Sequence, residues 1–272
     1  MISLIIALIS GLITYTVLLK AAELNTFWSV FFGLTVFFVT QILIGLFFRK
    51  KINTVTQEIQ RVLMEAQQAI QRKLNMFQQR PVGSQQQMQK ILEKEQNEAL
   101  RKAIELTKEL EPYCKWSLLL KKQISTMRMQ FYYQLGEFDK VDELMPDIML
   151  LEPMALAMKI ARMYKKDAPT EEIEKAFRSK IKKFKGDDGV ILYSLFAWIL
   201  LKRDEKDKAL EILTEAKSQT DSDVIVRNWE AVANNKFKSF TNSSLGDMWY
   251  SLKLETPKME KPRKQKMRKR FR

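Results

Sequence analysis

From Ile2 to Leu19 the chain carries no charged residue, and from Phe27 to Phe48 it carries none either. Each run is close to the roughly 20 apolar residues that cross about 30 Å of hydrocarbon, so the pattern predicts two membrane-spanning helices over 2–19 and 27–48. The connector Lys20–Thr26 is too short for anything but a hairpin, which puts both ends of the chain on one side. Arg49, Lys50 and Lys51 follow the second run directly, while Lys20 is offset by Glu23. The positive-inside rule therefore predicts a multi-pass protein with both termini in the cytoplasm. The first run has no basic n-region and no small-residue cleavage site, so it reads as retained rather than as a signal. Ala7/Gly11, Ser10/Thr14 and Ser29/Gly33 are small pairs at i, i+4 that let two helix backbones approach. Thr40 and Gln41 are polar within the second span without an ionisable companion, which suits interhelical hydrogen bonding better than a transport path.

After the hairpin (1–51) the pattern changes to one apolar stripe. Ile52, Val55, Ile59, Val62, Leu63, Ala66, Ala69, Ile70, Leu74 and Phe77 recur at spacings of three and four, with no Gly or Pro between Ile52 and Gln79. This predicts an amphipathic helical stalk over 52–80, reaching about 40 Å at 1.5 Å per residue. Packing on the domain, pairing with a second copy as a coiled coil and lying in the lipid interface are all open to it; its Gln-rich polar face lacks the Glu and Lys usual at e and g positions. Pro81 and Gly83 break the helix. Ser84 with Gln87 is a capping-box pattern that starts the next helix, through Met88, Ile91, Leu92, Ala99, Ala103, Ile104 and Leu110 until Pro112.

Paired helices follow. In Tyr132–Pro153, Gly136 stands at an inter-helix turn, Phe138 and Val141 open a second helix, Met145 and Ile148 fall on its inner face, and Pro153 closes it. Met154–Lys183 repeats the pattern with Ala161, Tyr164, Ala168, Ile173 and Phe177, Ala168-Pro169 replacing the glycine. Tyr193–Lys217 repeats it with Tyr193, Phe196, Ala197, Leu200, Asp204, Ala209, Leu213 and Ala216, and Asp204 takes the turn. Taking Val141, Ile173 and Ala209 as equivalent gives steps of 32 and 36, which bracket a repeat of about 34 residues. These residues resemble the tetratricopeptide (TPR) repeat over roughly 113–235, with Asp223–Asn234 as a closing helix. The resemblance implies an α-solenoid of about three helix pairs within 84–254, whose first helices line a groove for an extended peptide or a helix of a partner protein. The groove-lining face it implies comprises Gln130, Tyr133 and Gln134, then Met158, Lys159, Arg162, Lys165 and Lys166, then Ile191, Leu195 and Trp198. A basic middle between aromatic and apolar ends suits an acidic peptide or a terminal carboxylate. The alternative is that the cations are solvated and that Leu195 and Trp198 fill the core.

Composition narrows the chemistry. Eight Gly and seven Pro in 272 residues fit an all-α chain. No His is present, which removes the commonest general base and metal ligand, and no phosphate-cradling glycine motif occurs. Catalysis, a metal site and a cofactor are therefore not expected. Asp187 and Asp188 beside glycine read as turn residues. The lone Cys114 suits a reducing compartment and reads as a small buried hydrophobe.

Asp247–Leu254 regains an apolar set in Met248, Trp249, Leu252 and Leu254, and reads as a short element docked on the domain. The tail, 255–272, has nine Lys/Arg from Lys258 onward against Glu260, and is expected to stay disordered in isolation. Arg263, Lys264, Lys266, Arg268, Lys269, Arg270 and Arg272 would contact a polyanion, either anionic lipid or RNA, including the ribosome. The sequence thus predicts a two-span adaptor or assembly factor that binds a partner protein, in a bacterial inner membrane, with an RNA or ribosome tether as the alternative and a homo-oligomer through the stalk left open.

Overall fold

The computed structural model of the chain describes residues 2–20, 25–79 and 84–257, and every regular element within them is helical. The described residues up to Met149 form one compact unit, and those from Leu150 onward form a second.

In the first unit, α1 (Ile2–Lys20) and α2 (Thr26–Gln79) lie antiparallel, joined at their smallest residues. A Cβ added to Gly11 would stand 2.8 Å from the Gly33 carbonyl oxygen, and one added to Gly33 would stand 3.0 Å from that of Gly11. Ala7 and Ser29 are buried in the same seam, and Ser10 Oγ lies 3.2 Å from Thr40 Oγ1. The outer faces are bare: only 17% and 6% of the most apolar windows of the two helices is buried, whereas the core helix of a soluble fold is mostly covered. Both helices are long and apolar enough to cross a membrane.

The segment expected to be a separate stalk continues the second apolar helix without a break, so that α2 spans 54 residues. No Gly or Pro after Gly45 interrupts its hydrogen-bond ladder before Gln79. Its apolar stripe is covered from within the chain. Val55 and Ile59 pack in one core with Leu100, Ala103 and Ile104 of α3 (Gln85–Lys108), and Lys73 pairs with Glu95 farther along. The near half of the stripe is thereby closed to a second copy. The start of α3 follows the capping pattern: Ser84 Oγ accepts from Gln87 N at 3.2 Å and Gln87 Oε1 accepts from Ser84 N at 3.0 Å.

α3 ends at Lys108, earlier than Leu110, and a 3₁₀ turn with Pro112 in its first turn covers Glu111–Lys115. This turn abuts the end of the apolar stretch of α2. The Phe48 ring lies 4.6 Å from that of Trp116 and 5.8 Å from that of Tyr113, and Ser3 Oγ donates to the Trp116 carbonyl at 2.8 Å. Cys114 is half-buried, and burial pushes its thiol up. The unit closes with α4 (Leu118–Leu135) and α5 (Phe138–Leu144). α5 was expected to run past Ile148. It stops at Leu144 because Pro146 has no N–H to donate and its ring clashes with the carbonyl four residues back. Pro153 does not close this helix; it opens α6 at its first position, where a missing N–H costs nothing.

The second unit comprises α6 (Pro153–Lys165), α7 (Thr170–Ile181), α8 (Asp187–Lys202), α9 (Lys206–Gln219) and α10 (Asp223–Ala233), then 3₁₀ turns and the short α11 (Asp247–Tyr250). Asp187 and Asp188 lie in the first turn of α8, where carboxylates meet the positive end of the helix dipole.

One local turn recurs between the helices of three pairs, α4/α5, α6/α7 and α8/α9. Gly136, Asp167 and Asp204 take left-handed backbone, with φ of 80°, 57° and 62°. The next N–H folds back each time: Glu137 to the Tyr132 carbonyl, Ala168 to Met163 and Glu205 to Leu200, at 3.0, 3.0 and 2.9 Å. Val141, Ile173 and Ala209 then each fall in the fourth position of the second helix and are fully buried. In the middle pair Asp167, rather than Ala168, takes the turn, since a short polar side chain tolerates this conformation better than Ala. α10 ends in the same way at Asn235, whose φ is 54°.

Candidate functional site

The residues expected on a groove are divided between the two units. In the first, Tyr133 is buried, its ring edge-on to Phe138 at 5.4 Å, so it belongs to the α4/α5 core. Gln130 and Gln134 of the same helix are half-buried.

In the second unit α8 is enclosed on all sides: every residue from Gly189 to Leu200 is buried. Ile191, Leu195 and Trp198 therefore form core, as does Met158 of α6, although Trp198 also borders a small cleft. Of the α6 residues, Lys159 and Arg162 are half-buried and Lys165 and Lys166 exposed, so the cations of the expected basic middle lie at the surface while the apolar residues expected beside them are covered.

The face of α8 is covered by the chain's own C-terminal segment. Asn242 Nδ2 donates to the Ser194 carbonyl at 3.1 Å, and Asn228 Nδ2 donates to Asn242 Oδ1 at 2.9 Å. Trp249 and Leu252 are fully buried. The Trp249 ring meets that of Trp198 edge-on at 5.7 Å. Glu255 takes one indole N–H on each carboxylate oxygen, from Trp198 at 2.9 Å and from Trp249 at 2.8 Å. Docking of Asp247–Leu254 was legible in its apolar set. That it would dock on Trp198 was not, and nothing local in the sequence marks Asn228, Asn242 or Glu255 as its anchors.

A cleft of about 170 Å³ stays open beside this segment, lined by Trp198, Lys202, Lys206, Phe237, Phe240 and Thr241 among others. Lys202 Nζ lies 5.1 Å from the Trp198 ring centre and Lys206 Nζ 5.1 Å from that of Phe237. Two cations, one ending α8 and the other opening α9 across the Asp204 turn, each over an aromatic face, form a pocket rim suited to a carboxylate flanked by apolar groups.

Two polar networks brace the unit. Arg203 donates to the Ala168 carbonyl at 2.6 Å and to Thr170 Oγ1 at 2.8 Å, and Thr170 donates to Glu205 Oε1 at 2.6 Å, tying the α6/α7 turn to the α8/α9 turn. Hydrogen bonds from Lys208 and Thr170 hold the Glu205 carboxyl below the usual range. Tyr193 donates to Glu215 at 2.9 Å, and Arg178 binds the other oxygen of that carboxylate. Burial, then the bond to Glu215, pushes the Tyr193 phenol well above its ordinary value, so it acts as a fixed donor. Among the described residues no cluster of three or more His, Cys, Asp or Glu could hold a metal ion.

The basic residues Arg263, Lys264, Lys266, Arg268, Lys269, Arg270 and Arg272 lie outside the described residues. Comparison with protein-family models, curated proteins and solved structures finds no match for this chain.

Proposed function

We propose that this chain is a membrane-anchored, cytoplasm-facing adaptor or assembly factor whose tetratricopeptide-like helix pairs hold a partner protein. The observation that carries the reading is the recurrence of one left-handed turn, one backward N–H bond and one buried fourth residue in three successive helix pairs, behind two helices able to cross a membrane. Repetition of a helix pair is how stacked repeats build a binding surface. The partner is an acidic peptide or helix that meets the α6 cations and the Lys202/Lys206 cleft. It competes with the C-terminal segment for the aromatic face of Trp198. Confinement at a bacterial inner membrane raises effective concentration, so a modest affinity suffices.

The test is a pull-down from detergent-solubilised membranes with the full chain and with a chain ending at Thr256, each with and without nuclease and at two salt concentrations. The same protein partner surviving tail removal and nuclease supports the adaptor. A second reading, a tether for RNA or the ribosome, rests on the nine Lys/Arg of the last fifteen residues. It replaces the first if RNA or ribosomal proteins dominate and vanish with the tail and with rising salt.

A further inference from the structure

Where the apolar stretch of α2 gives way to charge, the first unit contains a cleft of about 350 Å³ that none of the roles above uses. One stripe of α2 lines it, Gln41, Gly45, Arg49 and Asn53, each four residues after the last, and Trp116 and Gln123 face that stripe. Three features of the stripe bear on what the cleft holds.

Gly45 is the first. Gly11 and Gly33 are needed because another backbone touches them, but a Cβ placed on Gly45 would meet nothing within 4 Å. A glycine in a helix interior lowers helix stability relative to alanine, and here no protein contact requires it. Its effect is to leave the middle of the cleft open. The second is the Oε1 atom of Gln41, which is buried and has no hydrogen-bond donor among the described residues. With no accessible surface it sits in the cleft wall, about 12 Å deeper along α2 than Arg49, and marks the inner end of the cleft rather than a headgroup contact. The third is Arg49. No acidic side chain lines the cleft, and no carboxylate pairs with Arg49 among the described residues. Arg49 is the first charged residue after the apolar run of α2, at the level where a lipid phosphate lies.

We infer that this cleft holds one phospholipid, the phosphate beside Arg49, a headgroup hydroxyl or ammonium donor turned outward to the Asn53 side-chain carbonyl, and an acyl chain beginning in the gap at Gly45. The Trp116 and Tyr113 rings stand beside it at the depth where amphipathic aromatic side chains meet the bilayer interface. The acyl chains continue along the exposed apolar face of the hairpin. The inference rests on the reading of α1 and α2 as membrane spans.

Native mass spectrometry of the full chain in detergent, titrated separately with phosphatidylglycerol, phosphatidylethanolamine, phosphatidylcholine and glycerol 3-phosphate, tests it. One phosphatidylglycerol or phosphatidylethanolamine per chain is expected. Phosphatidylcholine, with no donor, binds more weakly, and the soluble phosphate does not bind. Gly45→Leu fills the cleft and abolishes retention, Arg49→Gln weakens it roughly fivefold, and Asn53→Leu removes the preference over phosphatidylcholine. Alkaline carbonate extraction of the same variants separates the two premises. Release of the wild-type chain from membranes overturns the span reading and the lipid site together. A chain that resists extraction but retains equal lipid with Gly45→Leu overturns the lipid site alone, and binding of glycerol 3-phosphate as tightly as lipid reassigns the cleft to a soluble phosphate.

Discussion

Replacing Trp249 by Ala removes the largest fully buried side chain of the C-terminal segment. Its ring packs on Trp198 and its indole N–H binds Glu255, so the change leaves a cavity against α8 and strips one donor from the carboxylate. Truncations of this kind in a core cost about 3–5 kcal/mol, a large part of the 5–15 kcal/mol that holds a typical domain together. The assay is amide hydrogen exchange in α8 of the detergent-solubilised chain. If the second unit opens as a whole, Trp249→Ala speeds exchange there by about 10²–10⁴-fold. Trp249→Phe keeps a smaller ring and loses the N–H with part of the packing, for which about 2 kcal/mol, or roughly thirtyfold, is expected. If α8 in Trp249→Ala exchanges within about threefold of wild type, where distant surface changes usually fall, the segment is not part of the core. The Trp198 face is then open to a partner, and the competition proposed above disappears.

Other outcomes follow from the same geometry. Gly11→Leu or Gly33→Leu pushes a side chain into the facing backbone, where a Cβ alone would stand at 2.8 or 3.0 Å; a loss of about 1–3 kcal/mol is expected, read as a lower melting temperature in detergent, and an unchanged one would show that the helices do not touch there. Gly136→Ala forces a Cβ into a backbone of φ 80° and should destabilise by about 1 kcal/mol, whereas Asp204→Gly should be neutral or stabilising; the opposite order in a denaturant titration would refute the shared turn. Glu137 and Glu205 are held below their ordinary value of 4.5, chiefly by hydrogen bonds from Lys140 and Lys208 respectively. Their contribution is therefore complete above that pH and lost as pH falls through the lowered values, so melting temperature should drop as pH falls below 4.5. Glu205→Gln should flatten that slope, and a slope unaltered by the change would remove Glu205 from the effect.

Much of this architecture was legible along the chain because it is set by neighbours in sequence. The Ser84–Gln87 cap and the burial of Val141, Ile173 and Ala209 just after their turns depend on residues within a turn or two, and each uncharged run is continuous in sequence. Boundaries failed where a local stop signal was passed over, as at Pro146, or was read one residue late, as at Ala168 instead of Asp167. Tyr133, Met158, Ile191, Leu195 and Trp198 are buried, and the sequence left this open for a different reason. An apolar or aromatic residue on a first helix has the same periodicity whether it faces an open groove or a covering segment.

What the sequence by itself determined is the set of helices, the two able to cross a membrane among them, because helix formation and hydrocarbon solubility follow from composition and period over short windows. Only the tertiary structure decided which faces remain open. Phe48 meets Trp116, Ser3 meets Trp116, Asn242 meets Ser194 and Glu255 meets Trp198 across separations of 68, 113, 48 and 57 residues. Contacts at that range depend on how completed helices pack against one another, and no local pattern encodes them.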